Sequence, residues 1–125
     1  MTRPPLSRLE LEVARVLCDL GEGTLGAIHE ALVATRPMEY TTLQTYVRRL
    51  EAKGYIKAER FGRTKLYRPK VRAKQIIRET VNDVLRLLFD GQAVPMMKHL
   101  MQDRPISTQE IQELKQLVQE LEDGA

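Results

Sequence analysis

Hydrophobic positions recur along this chain with two periods. Leu9, Val13, Val16, Leu17 and Leu20 keep the three-and-four spacing of one helix face, which predicts a first helix over about residues 8–19. Ser7 and Glu10 stand at the N-cap and third position of a capping box, and Gly21 and Gly23 stop the run. Thr24 caps a second helix over about 25–35, with Ile28, Leu32 and Ala31 turned inward. Arg36 and Pro37 end it, because a residue before proline disfavours helical dihedrals. Leu43, Val47 and Leu50 form the apolar edge of a third helix over about 41–53, with Gly54 as a left-handed cap. The period then drops to two. Ile56, Ala58 and Leu66 alternate with Lys57, Glu59, Lys65 and Tyr67 around Phe61-Gly62-Arg63, the pattern of a β-hairpin. This alternation puts Leu66 on the apolar face and Tyr67 on the polar one.

From Val71 the helical period returns. Residues 72–89 carry Ile77, Val81, Val84, Leu85 and Leu88 on one stripe, and Ile76, Leu87 and Phe89 widen it. Asp90-Gly91 breaks this helix. A short Met-rich helix follows over 93–102, with Pro95 tolerated in its first turn. Ser107 and Glu110 form a second capping box, opening a last helix with Ile111, Leu114, Leu117, Val118 and Leu121 on one side. Three short amphipathic helices have few partners within so small a chain. Packing against the same helices of a second copy is the economical solution, an intramolecular helical subdomain being the alternative. Met96, Met97 and Met101 read as adaptable filling between helices.

The expected architecture is therefore mainly α. A winged helix-turn-helix, three helices plus a β-hairpin wing, spans residues 1–70, and a C-terminal helical dimerisation domain spans 71–125. The stripe residues Ile77, Val81, Val84, Leu85, Leu88, Ile111, Leu114, Leu117, Val118 and Leu121 are the expected dimer contacts.

Charge sharpens this division. The net charge is +3, but residues 36–70 alone hold 10 Lys/Arg against 3 Asp/Glu, a net of +7. Residues 71–125 hold 7 against 9, a net of −2. A local basic footprint of this kind fits a polyanion partner. No stretch of 18 apolar residues is present, and the N-terminus lacks the apolar run of a secretory signal, so a cytoplasmic protein with no membrane insertion is expected. The single cysteine, Cys18, allows neither an internal disulfide nor a cysteine-cluster metal site, and reads as a small packing residue. His29 and His99 have no metal-pairing neighbour, and His29 reads as a surface histidine. No phosphate-binding glycine loop and no Ser/His/Asp or Cys/His set occurs, so no cofactor and no enzymatic activity is expected.

The third helix carries the candidate chemistry. Thr41, Thr42, Gln44, Thr45, Arg48, Arg49 and Lys53 occupy its polar faces. Thr and Gln hydrogen-bond base edges, and Arg forks onto guanine or clamps a phosphate. A solvated surface helix uses the same residue types. The hairpin behind it, with Arg60, Arg63 and Lys65 at its tip, tips the reading to double-stranded DNA, with the helix in the major groove and the wing on the flanking backbone. Thr41, Thr42, Gln44, Thr45 and Arg48 would face the groove; Arg49 would bind phosphate or brace the helix beside Leu50. A winged helix that docks only proteins is the rival, and the charge of residues 36–70 speaks against it.

The run YTTLQTYVRRLEAKGY over 40–55 resembles the recognition helix of the penicillinase-repressor family, whose members include penicillinase, methicillin-resistance and copper-responsive repressors. Thr41, Thr42, Thr45, Arg49, Leu50, Lys53 and Gly54 carry the resemblance. It extends from Ser7–Val16 through Leu66-Tyr67 and the Leu88–Gly91 helix end to Glu110-Ile111, Glu113 and Leu114. It implies a bacterial, homodimeric winged-helix repressor on a palindromic operator. In the antibiotic-resistance members a membrane sensor-protease route ends in a cut at an Asn-Phe pair. His99-Leu100 stands there in this chain, which speaks against that induction route and leaves a sensor protease open as a partner. The copper-responsive members carry a C-terminal Cys-x-Cys motif; no cysteine follows Cys18.

Overall fold

The computed structural model describes residues 3–124. Its order is α1 (Arg8–Leu20), α2 (Leu25–Val33), α3 (Tyr40–Ala52), β1 (Ile56–Phe61), β2 (Thr64–Pro69), α4 (Ala73–Phe89), α5 (Ala93–Gln102) and α6 (Thr108–Gly124). This is the expected winged helix followed by C-terminal helices. By internal contacts it falls into two compact units, Met1–Asp83 and Val84–Ala125. The division lies inside α4, beyond residue 70, because Val71 and Ile76 are buried in the core of the first unit.

Each element begins and ends for a local reason. Ser7 caps α1 through a complete capping box, its amide donating to Glu10 Oε1 at 2.7 Å. Gly21, at φ 82°, closes that helix with its amide on Leu17 O. The Thr24 hydroxyl accepts from the Ala27 amide at 3.1 Å to open α2. This helix stops at Val33, two residues short of the sequence expectation, as the Thr35 hydroxyl and amide both turn back onto Leu32 O. Gly54 follows α3 at φ 87°, the left-handed position expected of it.

The core of the first unit joins Val13, Ala14 and Leu17 of α1, Ile28 and Leu32 of α2, and Leu43, Val47 and Leu50 of α3. Burial of each Val, Leu or Ile side chain here contributes about 1.5–3 kcal/mol, so the apolar edge of α3 fixes which side of it meets solvent. The hairpin closes this core. Its antiparallel register pairs Ala58 with Tyr67, Glu59 with Leu66 and Arg60 with Lys65 across the two-residue turn Gly62-Arg63. Paired residues share a face, so Tyr67 lies inward beside Ala58 and is buried, whereas Leu66 lies on the other face with Glu59, half-buried. This reverses the sequence expectation for these two residues. A one-residue bridge explains the choice: Gly23 and Tyr67 exchange both backbone hydrogen bonds, at 3.0 and 2.8 Å, which seats Tyr67 against the α1–α2 loop.

In the second unit, α5 and α6 contain no buried residue. Leu87 and Leu88 at the end of α4 are 72% and 73% exposed, and Leu117, Val118 and Leu121 of α6 are also exposed. Ser107 and Glu110 form the capping box expected before α6. Asp90 and Gly91, both at positive φ, end α4. Among the described residues no helix is long and apolar enough to cross a membrane, and no cluster of metal-ligating side chains occurs.

Candidate nucleic-acid interface

Leu43, Val47 and Leu50 bury one edge of α3, so its 3.6-residue period distributes the remaining residues over two flanks and a crest. Thr41 and Thr45 stand on the crest, exposed, with the Thr45 hydroxyl donating to Thr41 O at 3.3 Å. That leaves the lone pairs of Thr45 free to accept. Tyr40, Gln44, Arg48 and Glu51 occupy the flank towards the hairpin. Thr42 and Arg49 lie on the other flank. There the Arg49 guanidinium sits 5.3 Å from the Tyr46 ring centroid, a cation–π contact that holds its side chain along the helix.

Between the first flank and the hairpin runs a groove of about 490 Å³. It is lined by Gln44 and Arg48 of α3, by Arg60, Arg63, Thr64 and Lys65 of the wing, and by Thr24, Leu25 and Gly26 at the start of α2. Five of the nine expected contact residues, Gln44, Arg48, Arg60, Arg63 and Lys65, are thus brought to one concave surface. Thr41, Thr42, Thr45 and Arg49 are not part of its lining. The α2 terminus had no sequence signal, since only the tertiary fold carries it to the groove. The positive dipole end of α2 favours an anion there.

Positive charge dominates the groove, four cations against the one carboxylate of Glu51. Among the described residues none of Arg48, Arg60, Arg63 and Lys65 has an acidic partner within ion-pair distance. Arg60 and Lys65 are moreover direct cross-strand neighbours. Like charges so placed destabilise a hairpin, and an anion between them removes the conflict. Tyr67 projects from beneath. Burial first, then the charge of Glu51, pushes its phenol above the ordinary value near 10, against the opposing pull of Arg48. It stays a neutral hydroxyl at physiological pH.

Lys53 departs from expectation. It does not lie on the open face but reaches the buried Glu10 of α1, Nζ to Oε1 at 2.7 Å, and also donates to Pro5 O at 3.0 Å. Glu10 is only 1% exposed. Burial alone raises its pKa, but the Lys53 ammonium and the Ser7 amide and hydroxyl outweigh it, leaving the carboxyl below its ordinary 4.5. The pair ties the C-terminal end of α3 to the first turn of α1. Arg3 assists, its Nε donating to Gly54 O at 3.2 Å. His29 is likewise no free surface residue: Nε2 lies 2.7 Å from Met38 O, and its ring meets Tyr40 edge-on at 5.6 Å. It fastens the turn that leads into α3.

A family model described as penicillinase repressor matches residues 6–120. The penicillinase repressor of Bacillus licheniformis is 26% identical over 117 residues, which span 94% of this chain and 91% of that protein. Among solved structures, the DNA-binding domain of the repressor BlaI matches with a TM-score of 0.53 at 28% identity, over 58% of this chain and 88% of that one. The monomeric form of Bacillus licheniformis BlaI, in complex with the blaP half-operator, matches with a TM-score of 0.51 at 27% identity, over 58% and 89%. A MarR family protein from Bacillus stearothermophilus reaches a TM-score of 0.55 at 16% identity, over 97% and 76%, a likeness of fold alone.

Proposed function

The chain belongs to the penicillinase-repressor family, and from that premise we propose that it is a homodimeric transcriptional repressor of the cytoplasm that grips a palindromic operator. It is a DNA-binding regulator and not an enzyme. The reading rests above all on the groove between α3 and the wing, where four cations converge with no acidic group within ion-pair distance among the described residues. A phosphate backbone supplies the missing charge, and the concave surface of α3 and wing suits one edge of a duplex. Thr41, Thr42, Gln44, Thr45 and Arg48 read the major groove, and Arg60, Arg63 and Lys65 hold the backbone. Arg49, clamped on Tyr46 on the far flank, takes a phosphate across the groove from the wing.

Residues up to about 70 form the DNA-binding part and those from 71 the dimerisation part, with the start of α4 packed into the first. The helices of the second unit leave Leu88, Ile111, Leu117, Val118 and Leu121 open to solvent. Large apolar side chains this exposed on amphipathic helices want a cover, and a second copy supplies it without any further component. Leu85 and Leu114 are half-buried.

Arg48→Ala and Thr45→Ala test the site. Gel-shift titration on the operator should show affinity lost by about 5- to 150-fold for Arg48→Ala, the range of one good base contact. The loss should be smaller for Thr45→Ala, and sedimentation should show both still dimeric. Unchanged affinity in both would remove α3 from the interface.

A further inference from the structure

The groove contains one acidic side chain, and the operator-binding reading above leaves it without a role. Glu51 is exposed on the wall of the groove, near Arg48 and the Tyr67 hydroxyl. Among the described residues its carboxylate makes no ion pair and no hydrogen bond. The other acids close to the wing are engaged: Glu59 and Glu22 both bind Arg68, at 3.0 Å each. Glu51 also continues a stripe. Tyr40, Gln44, Arg48 and Glu51 follow at i, i+4, i+8 and i+11, and all four line the groove. From end to end the stripe covers about 16 Å at 1.5 Å per residue, or roughly five base-pair steps of 3.4 Å.

A bare carboxylate among phosphates is repelled, so a surface that only needed to hold DNA would be better without it. Specific interfaces use such repulsive groups to reject wrong partners while one right partner satisfies them. In the major groove the group that satisfies a carboxylate is a base amino donor, cytosine N4 being the usual one. We propose that Glu51 selects one base pair of the operator half-site by accepting a hydrogen bond from cytosine N4, and penalises duplexes that offer no amino group there. On the stripe it follows Arg48 by about 4.5 Å of helix rise, which places its cytosine one or two base pairs from the base that Arg48 reads. This assignment rests on the operator-binding reading.

The test uses the full-length protein and duplexes that the wild type itself selects from a randomised pool. Each half-site position is then replaced singly, and affinities are measured for wild type, Glu51→Ala and Glu51→Gln. Wild type should lose about 5- to 150-fold when one particular C·G pair is changed. Glu51→Ala should bind scrambled DNA more tightly and cut the penalty at that pair to a few-fold or less. Glu51→Gln should move the preference there to A·T, because a carboxamide pairs with adenine N6 and N7. A shift by the same factor at every position in both variants would show that Glu51 acts as a charge only and would overturn the assignment. Equal affinity of the wild type for selected and scrambled duplexes would remove the operator-binding reading itself, and this inference with it.

Discussion

The Glu10–Lys53 pair couples the entry of the chain to the end of the helix that carries the candidate site. Removing one partner of a buried pair strands the other charge, at a cost of about 3–5 kcal/mol. Lys53→Met should therefore lower the urea midpoint of unfolding at pH 7 strongly, with a smaller loss near pH 4, where the stranded carboxyl can take a proton. The wild-type dependence follows from the sign of the Glu10 shift. Its folded pKa lies below the ordinary 4.5. The stability it contributes is thus fully present above about pH 4.5 and fades as pH falls through the lower, folded value. Equal urea midpoints for Lys53→Met and wild type at pH 7 would show that the pair does not hold α3. In the sequence Glu10 was visible as a capping residue and Lys53 as a cation of a basic helix within the family motif, and neither reading paired them. Capping boxes are local and can be read from spacing, whereas this contact joins residues 43 positions apart.

At the scale of elements, α1, α3, α4, α5 and α6 could be read from apolar period, caps and glycine stops, with ends displaced by a residue or so. The hairpin was legible as a hairpin but not in which of Leu66 and Tyr67 points inward. Two apolar neighbours on β2 allow either, and the backbone bridge from Gly23 to Tyr67 decides. The α2 terminus, Tyr67 and Glu51 entered the groove only through tertiary packing, although Glu51 lay within reach of a helical-stripe count from Gln44. Two outcomes belong here. Gly54 sits at φ 87°, so Gly54→Ala should destabilise the first unit by about 1–2 kcal/mol, the usual cost of left-handed backbone for a residue with a Cβ; thermal melts measure it. Arg63 at the wing tip should contribute one released counterion per protomer. Arg63→Ala should then flatten the slope of log affinity against log salt by about two for a dimer, and weaken all sequences alike. An unchanged slope would take the wing tip off the backbone.

For the whole molecule, the open apolar face of the second unit carries the dimer proposal. Leu88 is among its most exposed residues, and a two-fold interface counts each substitution twice. Leu88→Asp should yield a monomer by sedimentation, with the helical content of the first unit kept and operator affinity reduced by orders of magnitude. A dimer unchanged by Leu88→Asp would move the interface elsewhere. The amphipathic faces of these helices were legible because they show in the period of a sequence. The point at which the first unit ends was not, since α4 serves the winged-helix core through Ile76 and runs on without a break in pattern past Asp83.

The claim that joins these scales is that two copies present α3 and the wing to two halves of one duplex. Hydroxyl-radical footprinting of full-length protein on genomic fragments that it retains measures this directly. The account predicts two protected half-sites related by inverted symmetry, their centres one helical turn of about 10–10.5 base pairs, or a whole multiple, apart. A single protected half-site, or protection with no sequence in common between fragments, would contradict it.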